Sequence, residues 1–484
     1  MRKVYLTWLL ACGLVTANAQ DNPRLAACGL NAAETAYYMA PGWNLGNTFE
    51  AGSSSDNFTD NGGTATETLW QSTKTTQAII DLVKSNGFKT VRIPCSWVMG
   101  HLKDSVTMAI DPDWLARVKE VVDYCIKDGL FVVLNDHWDG GWLEYDGFTT
   151  GVDVTKKKEQ LRLLWTNIAT AFKDYDGHLL FAGMNEPGVG GAGPSARGSL
   201  MVNQYNDDTD ANEIAFVNRI LEYEQVFIDA VRTTGGNNTQ RVLIVQGPKT
   251  SAAKTVRYMD ASKLVDSAGK RIMVEVHCYD PYRFCQMTED ALWGKMEYYW
   301  TGHAPARASS DRVGTTSEQQ AIQSAFNSMK TAFVDKGYPV ILGEYGAAAR
   351  TLTTTQGNQA KHDESRQYWF NFATNYAMSA GIVPICWDIN NTGLKIIDRA
   401  NVKVGDDCDL NGIKEGVETA QAAYNAIYPE PSSTTDIKTV ISLKGGTDNV
   451  YDLSGHIVKK GVKSLNNISL PHGVYIYKGK KVIK

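Results

Sequence analysis

The sequence predicts an α/β protein that is built on a closed (β/α)8 TIM barrel, with a small all-β appendage at its C-terminal end. Eight short β-rich runs alternate with longer stretches of helical period, as expected of repeated βα units. The glycine-rich phosphate-binding motif of doubly wound sheets is missing after the early runs, which disfavours an open sheet as the alternative. The composition changes after residue 428, where the barrel is expected to end.

The eight predicted strands share an apolar body and a polar or aromatic end. They comprise residues 42–47, 90–94, 131–135, 180–185, 241–246, 273–277, 340–344 and 382–387. The predicted helices between them comprise residues 76–86, 113–127, 159–173, 213–232, 318–336 and 363–378. Most of these stretches end at a glycine, the residue that best adopts the left-handed conformation after a helix, namely Gly87, Gly129, Gly235, Gly337 and Gly381.

The strand ends carry the chemically versatile side chains. In a TIM barrel the active site forms at the carboxyl ends of the strands, so these residues are the candidates. They are Asn47, Arg92, His137, Asn185, Glu186, His277, Tyr279, Glu344 and Trp387. Long insertions follow several strand ends and are predicted to wall a cleft; they comprise residues 96–112, 138–156, 188–212 and 281–316.

The two ends of the chain differ from the barrel, which is predicted for residues 35–428. Residues 1–19 have the basic start, apolar run and Ala-Asn-Ala site of a signal peptide, which predicts a secreted or cell-surface protein. A lipoprotein site at Cys12 is the alternative. Residues 429–435 are typical of a linker, and the alternating pattern of residues 436–484 predicts a small β unit.

The overall charge disfavours some partners. The 484 residues include 48 Lys and Arg against 53 Asp and Glu, and the tail is rich in Lys, so the central body is acidic. Such a body would repel a phosphate backbone, and it has no basic stripe, which argues against nucleic acid. No segment beyond the signal peptide approaches the ~20 apolar residues of a membrane helix. We expect a monomer.

The cysteines and one acidic motif bear on disulfides and metal ions. Removing Cys12 with the signal peptide leaves seven cysteines; Cys278 with Cys285, or Cys386 with Cys408, could form a disulfide, and zinc spacing is absent. The acidic motif matches the spacing of a calcium loop, with candidate ligands at Asp407, Asp409, Asn411 and Glu418. An acidic surface turn is the alternative. No redox or organic cofactor is expected.

Two glutamates carry the strongest functional prediction. Glu186 ends the fourth predicted strand and Glu344 the seventh, so a closed barrel would bring both to one cleft. Two carboxylates across a cleft suit glycosidic bond cleavage, because one protonates the leaving oxygen while the other attacks the anomeric carbon. Taken singly, each candidate could instead be a solvated or core residue; their shared position at strand ends favours a functional site.

The chain from about residue 37 to 428 resembles glycoside hydrolase family 5, a retaining cellulase family. The resemblance rests on seven motifs in order: Gly42-Trp43-Asn44-Leu45-Gly46-Asn47, Val91-Arg92-Ile93-Pro94, Asn135-Asp136-His137, Asn185-Glu186-Pro187, His277-Cys278-Tyr279, Gly343-Glu344-Tyr345-Gly346 and Trp387-Asp388. It implies that Glu186 is the general acid/base and Glu344 the nucleophile.

The resemblance also implies supporting roles. Asn185 would bind the sugar 2-hydroxyl, Arg92 would keep Glu344 ionised, and His277 and Tyr279 would orient the two glutamates. His137 and Trp387 would line the sugar site. One departure is Trp138, where many members carry a second His; with Trp142 and Trp97 it is predicted to stack on sugar rings.

The tail resembles the C-terminal sorting domain of the Bacteroidetes type IX secretion route. The resemblance rests on Val450-Tyr451-Asp452-Leu453-Ser454-Gly455 and Gly473-Val474-Tyr475-Ile476. A carbohydrate-binding module is the alternative, although a tail without Trp is a poor sugar platform.

The sequence thus predicts a secreted, retaining endo-β-1,4-glucanase that acts on β-glucan. The same chemistry on mixed-linkage glucan, xyloglucan or mannan is the enzymatic alternative, because the loops of the cleft set that choice. The alternative from another class is a glycan-binding surface protein without catalysis.

Overall fold

The computed structural model describes residues 22–52, 62–143, 153–188, 210–391, 393–433, 449–451, 457–462, 474–477 and 480–483. The predicted signal peptide and Cys12 lie outside these residues. The chain divides into two compact units, Met1–Ser433 and Thr434–Lys484, and the division lies within the stretch 429–435. Among the described residues, no helix combines the length and the apolar character that crossing a membrane requires.

Eight parallel strands close into a barrel in chain order, which confirms the predicted fold. The strands are β1 (Gly42–Asn44), β2 (Thr90–Ile93), β3 (Phe131–Asn135), β4 (Leu179–Ala182), β5 (Leu243–Ser251), β6 (Ile272–Cys278), β7 (Val340–Tyr345) and β8 (Ile382–Cys386). Nearly every residue of these strands is buried, because the barrel interior covers one face and the helices cover the other.

Ten described helices accompany the strands. They are α1 (Ala32–Met39), α2 (Gln77–Ser85), α3 (Pro112–Lys127), α4 (Thr155–Ala171), α5 (Asp210–Thr233), α6 (Ala252–Tyr258), α7 (Tyr282–Cys285), α8 (Thr316–Ala332), α9 (Gln359–Ser379) and α10 (Asp407–Ile427). The five glycines predicted after helices all have positive φ, from 67° at Gly129 to 96° at Gly87. Short two-stranded sheets lie in the loops, at Leu102–Asp104 with Ala109–Ile110 and at Ile397–Asp398 with Lys403–Val404.

The strand register brings the polar residues of the barrel together. Asn44 pairs with Arg92 across β1 and β2, and His277 pairs with Glu344 across β6 and β7. Glu275 lies two residues before His277 and therefore on the same face of β6. Polar side chains from four strands thus converge at one end of the barrel.

The predicted calcium ligands lie in a helix rather than in a loop. Asp406 caps α10 by accepting hydrogen bonds from Cys408 N and Asp409 N, and the chain is helical from Asp407 onward. Asp409 is buried and forms an ion pair with Arg366 of α9. Its carboxylate therefore binds a guanidinium, and the exposed Asn411 and Glu418 follow one and three helical turns into α10. The residues that match a calcium loop by their spacing thus lie in a capped helix, and calcium binding stays a prediction.

The seven described cysteines are all free thiols, so neither of the two suggested disulfides is formed. Cys278, Cys285 and Cys386 are buried, and Cys285 Sγ donates a hydrogen bond to the carbonyl oxygen of Asp280 at 3.2 Å. Cys408 is half-buried, and burial raises the pKa of its thiol to about 11.

The C-terminal unit contains a four-stranded antiparallel sheet. Its strands follow the order Ile457–Lys459, Val450–Tyr451, Val474–Tyr477 and Lys480–Ile483. Val450, Val462 and Tyr475 form its small core, and Tyr477 Oη donates a hydrogen bond to Val462 O at 2.6 Å. The sheet agrees with the predicted all-β appendage.

Candidate active site

Glu186 and Glu344 face each other at the carboxyl end of the barrel. Glu344 is the fifth residue of β7 and is almost completely buried, whereas Glu186 follows β4 and its side chain is 29% exposed. A carboxylate oxygen of each lies within 4.8 Å of the other. This short separation suits a retaining glycosidase, because an inverting enzyme leaves room for a water between its carboxylates.

The backbone of Glu186 has an unusual conformation. Its φ is 42°, in the left-handed region that favours glycine. Residues held in such conformations are enriched at functional sites, where the surrounding structure compensates for the strain. Lys249 N donates a hydrogen bond to Pro187 O at 2.8 Å, and Thr250 Oγ1 lies 3.5 Å from Glu186 Oε1. The end of β5 therefore holds the turn that carries Glu186.

Two hydrogen bonds hold the Glu344 carboxylate. Arg92 Nη1 donates to Oε1 at 3.0 Å, and Tyr279 Oη donates to Oε2 at 2.9 Å. His137 Nε2 lies 4.0 Å from Oε1. These contacts leave the Glu344 carboxylate fixed in one orientation, with Tyr279 and Arg92 on opposite oxygens.

Arg92 is buried in the centre of the barrel and orients two amides as well as the nucleophile candidate. Its Nη1 donates to Asn44 Oδ1 at 3.0 Å, and its Nη2 donates to Asn185 Oδ1 at 2.6 Å. Because Arg92 takes the oxygen of Asn185, the Nδ2 donor of that amide points away from the guanidinium. Asn44 Nδ2 in turn donates to Gly343 O at 2.8 Å, beside Glu344.

His277 lies between carboxylates on both sides of its ring. Nδ1 is 2.8 Å from Glu186 Oε1 and 3.6 Å from Glu344 Oε2, while Nε2 is 3.2 Å from Glu275 Oε1. Burial by itself lowers the pKa of His277, but the charges and hydrogen bonds of these three carboxylates raise it to about 9. His277 is therefore an imidazolium at neutral pH.

His277 lowers the pKa of Glu186. A general acid needs a raised pKa to hold its proton near neutrality, and burial or a neighbouring carboxylate can raise it. Burial does act in that direction, but the hydrogen bond and positive charge of His277 outweigh it and lower the pKa of Glu186. Burial raises the pKa of Glu344, against the opposing charges of His277 and Arg92. The positive charge of His277 therefore favours the ionised form of Glu186.

Aromatic side chains lie near the glutamate pair, beginning with His137, which is 4.0 Å from Glu344. The rings of His137 and Trp387 are stacked, with centroids 6.0 Å apart and an interplanar angle of 6°. Trp138 lies next to His137 and is partly exposed, and its ring centroid is 6.0 Å from that of Trp70, which is 41% exposed. These rings can offer faces to the weakly polar surface of a pyranose.

Two predicted stacking residues are in the core instead. Trp97 is completely buried and its Nε1 donates to Asn135 O at 2.8 Å. Trp142 is 1% exposed, and its Nε1 donates to Asp136 Oδ2 at 3.1 Å. Neither indole has a face for a sugar; both support the loops after β2 and β3. Asn47 is partly buried, and its backbone N–H donates to the Glu50 carboxylate.

Sequence reasoning did not identify Glu275 or Trp70. The run Val274-Glu275-Val276-His277 has the period-two pattern that places Glu275 and His277 on one face of a strand, which is the signal that could have identified Glu275. Trp70 lies outside every predicted strand end, so only the fold brings it beside Trp138. A motif-based search confined to strand ends omits both.

Family models and related proteins both point to one enzyme family. The family model described as cellulase (glycosyl hydrolase family 5) matches residues 52–393. Endoglucanase A of Paenibacillus barcinonensis is 31% identical over 408 residues, which cover 80% of this chain and 91% of that protein. A xyloglucan-specific endo-β-1,4-glucanase of Bacteroides ovatus is 32% identical over 383 residues, which cover 78% of this chain and 69% of that protein.

A solved structure is also similar. It is a xyloglucan-specific β-1,4-glucanase from a ruminal metagenomic library, in complex with XXLG. It is 43% identical with a TM-score of 0.69, and the match covers 81% of this chain and 97% of that chain.

Proposed function

This chain belongs to the cellulase family, glycosyl hydrolase family 5, and we propose that it is an endo-β-1,4-glucanase in which Glu344 is the nucleophile and Glu186 the general acid/base. The observation that carries the proposal is the short separation of these two carboxylates at the end of a closed barrel. The family is a retaining one, and retention requires such a pair.

In the first step Glu344 attacks the anomeric carbon while the glycosidic bond breaks. Arg92 and Tyr279 hold the attacking carboxylate in place, so little reorganisation is needed as charge leaves it. A proton on Glu186 passes to the leaving oxygen, giving a glycosyl-enzyme ester and a shortened glucan. The Nδ2 donor of Asn185 is oriented to bind the sugar 2-hydroxyl, a hydrogen bond that strengthens in the transition state.

In the second step water replaces the glycosyl group on Glu344. Glu186, now a carboxylate, takes a proton from that water, and the water oxygen forms the new bond to the anomeric carbon with retention of configuration. The ester carries no negative charge at Glu344, so a like charge beside Glu186 is lost and the carboxylate form of Glu186 is favoured further in this step. The same residue can therefore serve as acid first and base second.

The substrate we propose is a β-1,4-glucan chain, held against Trp387, Trp138 and Trp70 by stacking. Xyloglucan is the second candidate, and the 43% identity to a xyloglucan-specific enzyme supports it. Mixed-linkage glucan and mannan remain alternatives with the same chemistry. Residues 144–152 and 189–209, which follow β3 and β4 along the sequence, lie outside the described residues.

The test compares the wild type with Glu344→Gln on carboxymethylcellulose, barley β-glucan, xyloglucan and glucomannan, at matched folded concentration. We expect the wild type to release reducing ends from a β-1,4-glucan and the variant to lose about 10⁴-fold or more of this activity while remaining folded. Binding of the polymers without release by the wild type would instead identify a glycan-binding protein. Normal turnover by Glu344→Gln would exclude it as the nucleophile.

We further propose that residues 1–19 direct export and that the C-terminal unit is a sorting domain. The basic and apolar pattern of the first residues and the motifs of the tail support this. Fusing residues 436–484 to a reporter in a host with the type IX route tests it. A reporter that stays in the periplasm, while a known sorting tail delivers the same reporter to the surface, would contradict the proposal.

A further inference from the structure

We propose that Glu275 is a positioning residue that keeps His277 protonated at Nε2, so that the Nδ1 nitrogen of the same ring can exchange the catalytic proton with Glu186. This inference rests on the proposed function of Glu186 as acid/base. It assigns a third carboxylate to the reaction, one that the substrate cannot touch.

Glu275 is completely buried and its carboxylate is surrounded by donors. Its Oε1 is 3.2 Å from His277 Nε2 and forms an ion pair with Arg92 Nε at 3.0 Å. Its Oε2 accepts a hydrogen bond from Gln246 Nε2 at 2.7 Å. Burial raises the pKa of Glu275, but the charge of Arg92 and the hydrogen bonds from His277 and Gln246 outweigh it and lower the pKa overall. A buried carboxylate with these partners is ionised.

The barrel makes room for this carboxylate at a specific position. A Cβ atom added to Gly343 would lie 1.9 Å from Glu275 Oε1, closer than any side chain can approach. Gly343 precedes the nucleophile candidate on β7, so the strand that carries Glu344 also leaves the space that Glu275 occupies. The arrangement of Glu275 under His277 is therefore built into two neighbouring strands.

The contact fixes which nitrogen of His277 carries the exchangeable proton. Because Nε2 faces an ionised carboxylate, the hydrogen on that nitrogen is retained in both protonation states of the ring. The second proton then moves along the 2.8 Å contact between Nδ1 and Glu186 Oε1. With the proton on Nδ1, Glu186 is a carboxylate and the ring is an imidazolium; with the proton on Oε1, Glu186 is the acid and the ring is neutral.

The charges around the ring determine the direction of the expected effect. Glu186 and Glu344 face Nδ1, Glu275 faces Nε2, and Tyr279, Arg92 and His137 complete the surroundings. Burial and the charge of Arg92 lower the pKa of His137, which leaves that ring neutral. The carboxylates keep the shared proton in place to higher pH. Removing one of them therefore releases the shared proton at lower pH.

The experiment measures kcat/KM against pH for the wild type and Glu275→Gln on the preferred glucan. We expect the alkaline limb of the Glu275→Gln profile to move down by about one pH unit or more, with a loss of about 10- to 100-fold at pH 8. The second substrate is 2,4-dinitrophenyl β-cellobioside, whose leaving group needs no proton. For this substrate kcat/KM should fall much less.

The substrate pair separates positioning of the proton from simple damage to the site. If Glu275 only holds Arg92 and Glu344 in place, Glu275→Gln will impair both substrates equally and leave the alkaline limb unchanged, which would overturn the inference. Glu275→Asp retains the charge and should restore part of the limb. A wild type that cleaves no glucan would reject the proposed function instead, a result distinct from either outcome.

Glu224 offers a matched control, because it is a second buried glutamate that binds Gln246, the residue that also binds Glu275. Glu224 Oε1 accepts a hydrogen bond from Gln246 N at 2.7 Å, and burial raises the pKa of Glu224 well above its usual value. It contacts neither Arg92 nor His277, so Glu224→Gln should leave the alkaline limb in place.

A measurement on the wild type keeps the inference testable if Glu275→Gln fails to fold. Nitrogen-15 NMR of the His277 ring should show both nitrogens protonated at pH 7 and a hydrogen retained on Nε2 as the ring titrates. A ring that becomes neutral by losing the Nε2 hydrogen would overturn the inference.

Discussion

Arg92 is a buried charge in the centre of the barrel, and it positions four side chains of the site. Its guanidinium contacts Asn44, Asn185, Glu275 and Glu344. Taking an arginine out of water costs several kcal/mol unless its partners compensate, and here two carboxylates do so. Each of the three nitrogens has a defined direction, so the fork geometry matters as much as the charge.

We predict that Arg92→Lys will lower kcat/KM by about 100-fold or more, because an ammonium cannot hold both Asn185 and Glu344 in these directions. Arg92 opposes the raised pKa of Glu344. A displaced charge will therefore raise this pKa further, and the acidic limb of the pH profile will move to higher pH. The measurement is kcat/KM from pH 4 to 9.

Arg117→Lys is the control for a buried arginine, since Arg117 pairs with Glu67 and Glu120 away from the glutamates of the site. We expect it to lower stability without moving either limb of the profile. An Arg92→Lys enzyme with a wild-type acidic limb would show that Arg92 does not control the ionisation of Glu344.

Substituting an exposed and a buried tryptophan should affect substrate binding and stability differently. We predict that Trp138→Ala will raise KM for the polymer about 10-fold with little change in the melting temperature, because a partly exposed ring is lost. Trp142→Ala should instead lower the free energy of unfolding by about 3 to 5 kcal/mol, because it leaves a cavity in the core. Denaturant titration and kinetics on both variants check this; a stable Trp142→Ala with a raised KM would contradict the assignment.

Among the secondary-structure elements, α9 and α10 depend on a buried ion pair. Arg366 on α9 contacts both Asp406, the cap of α10, and Asp409 in its first turn. One guanidinium thereby contacts two carboxylates at the start of a helix, where negative charge is also favoured by the helix dipole. Burial nevertheless raises the pKa of Asp409 to about 8, against the opposing charge of Arg366.

We predict that a chelator will leave the melting temperature unchanged, whereas Arg366→Met will lower the free energy of unfolding by about 3 to 5 kcal/mol, because it leaves Asp409 buried without its partner. Thermal unfolding with EDTA or with added Ca²⁺ measures the first effect. Lys361→Met, which removes an exposed ion pair with Glu364, is the control and should cost less than about 1 kcal/mol. A marked rise in melting temperature on adding Ca²⁺ would instead support the predicted calcium site.

At the scale of the whole molecule, the described contacts of the site all lie within Met1–Ser433. The C-terminal unit has a core of its own, centred on Val450 and Tyr475. The residues that would bind and cleave a glucan therefore belong to one unit, and the tail contributes none of those described.

We predict that a chain ending at Ser433 will keep kcat/KM for a soluble glucan within about twofold of the full chain, because activity depends on the barrel. The measurement uses both proteins at equal folded concentration. A matched chain ending at Ala420, which removes the last turns of α10 including Tyr424, should fail to fold well, since Tyr424 Oη donates to Ala36 O at 2.6 Å in the core.

Much of this organisation could be predicted from local sequence. The eight strands and the five glycines at helix ends depend on short-range rules, and Glu186 and Glu344 follow from strand ends in a closed barrel. Exposure could not be predicted, because it depends on how the segments after β2 and β3 fold: Trp97 binds Asn135 O, Trp142 binds Asp136, and both indoles are buried. The pKa of Glu186 also could not be predicted from the sequence, because it depends on the position of His277 on another strand.

The free thiols have a consequence for producing the protein. Since none of the described cysteines is in a disulfide, a reducing agent has no disulfide to break among the described residues of the barrel. Among the described cysteines only Cys408 has partial access to solvent. Its raised pKa leaves little reactive thiolate at neutral pH for oxidation in air. Purified protein should therefore resist oxidative cross-linking, and Cys408→Ser would remove the one described residue through which such dimers could form.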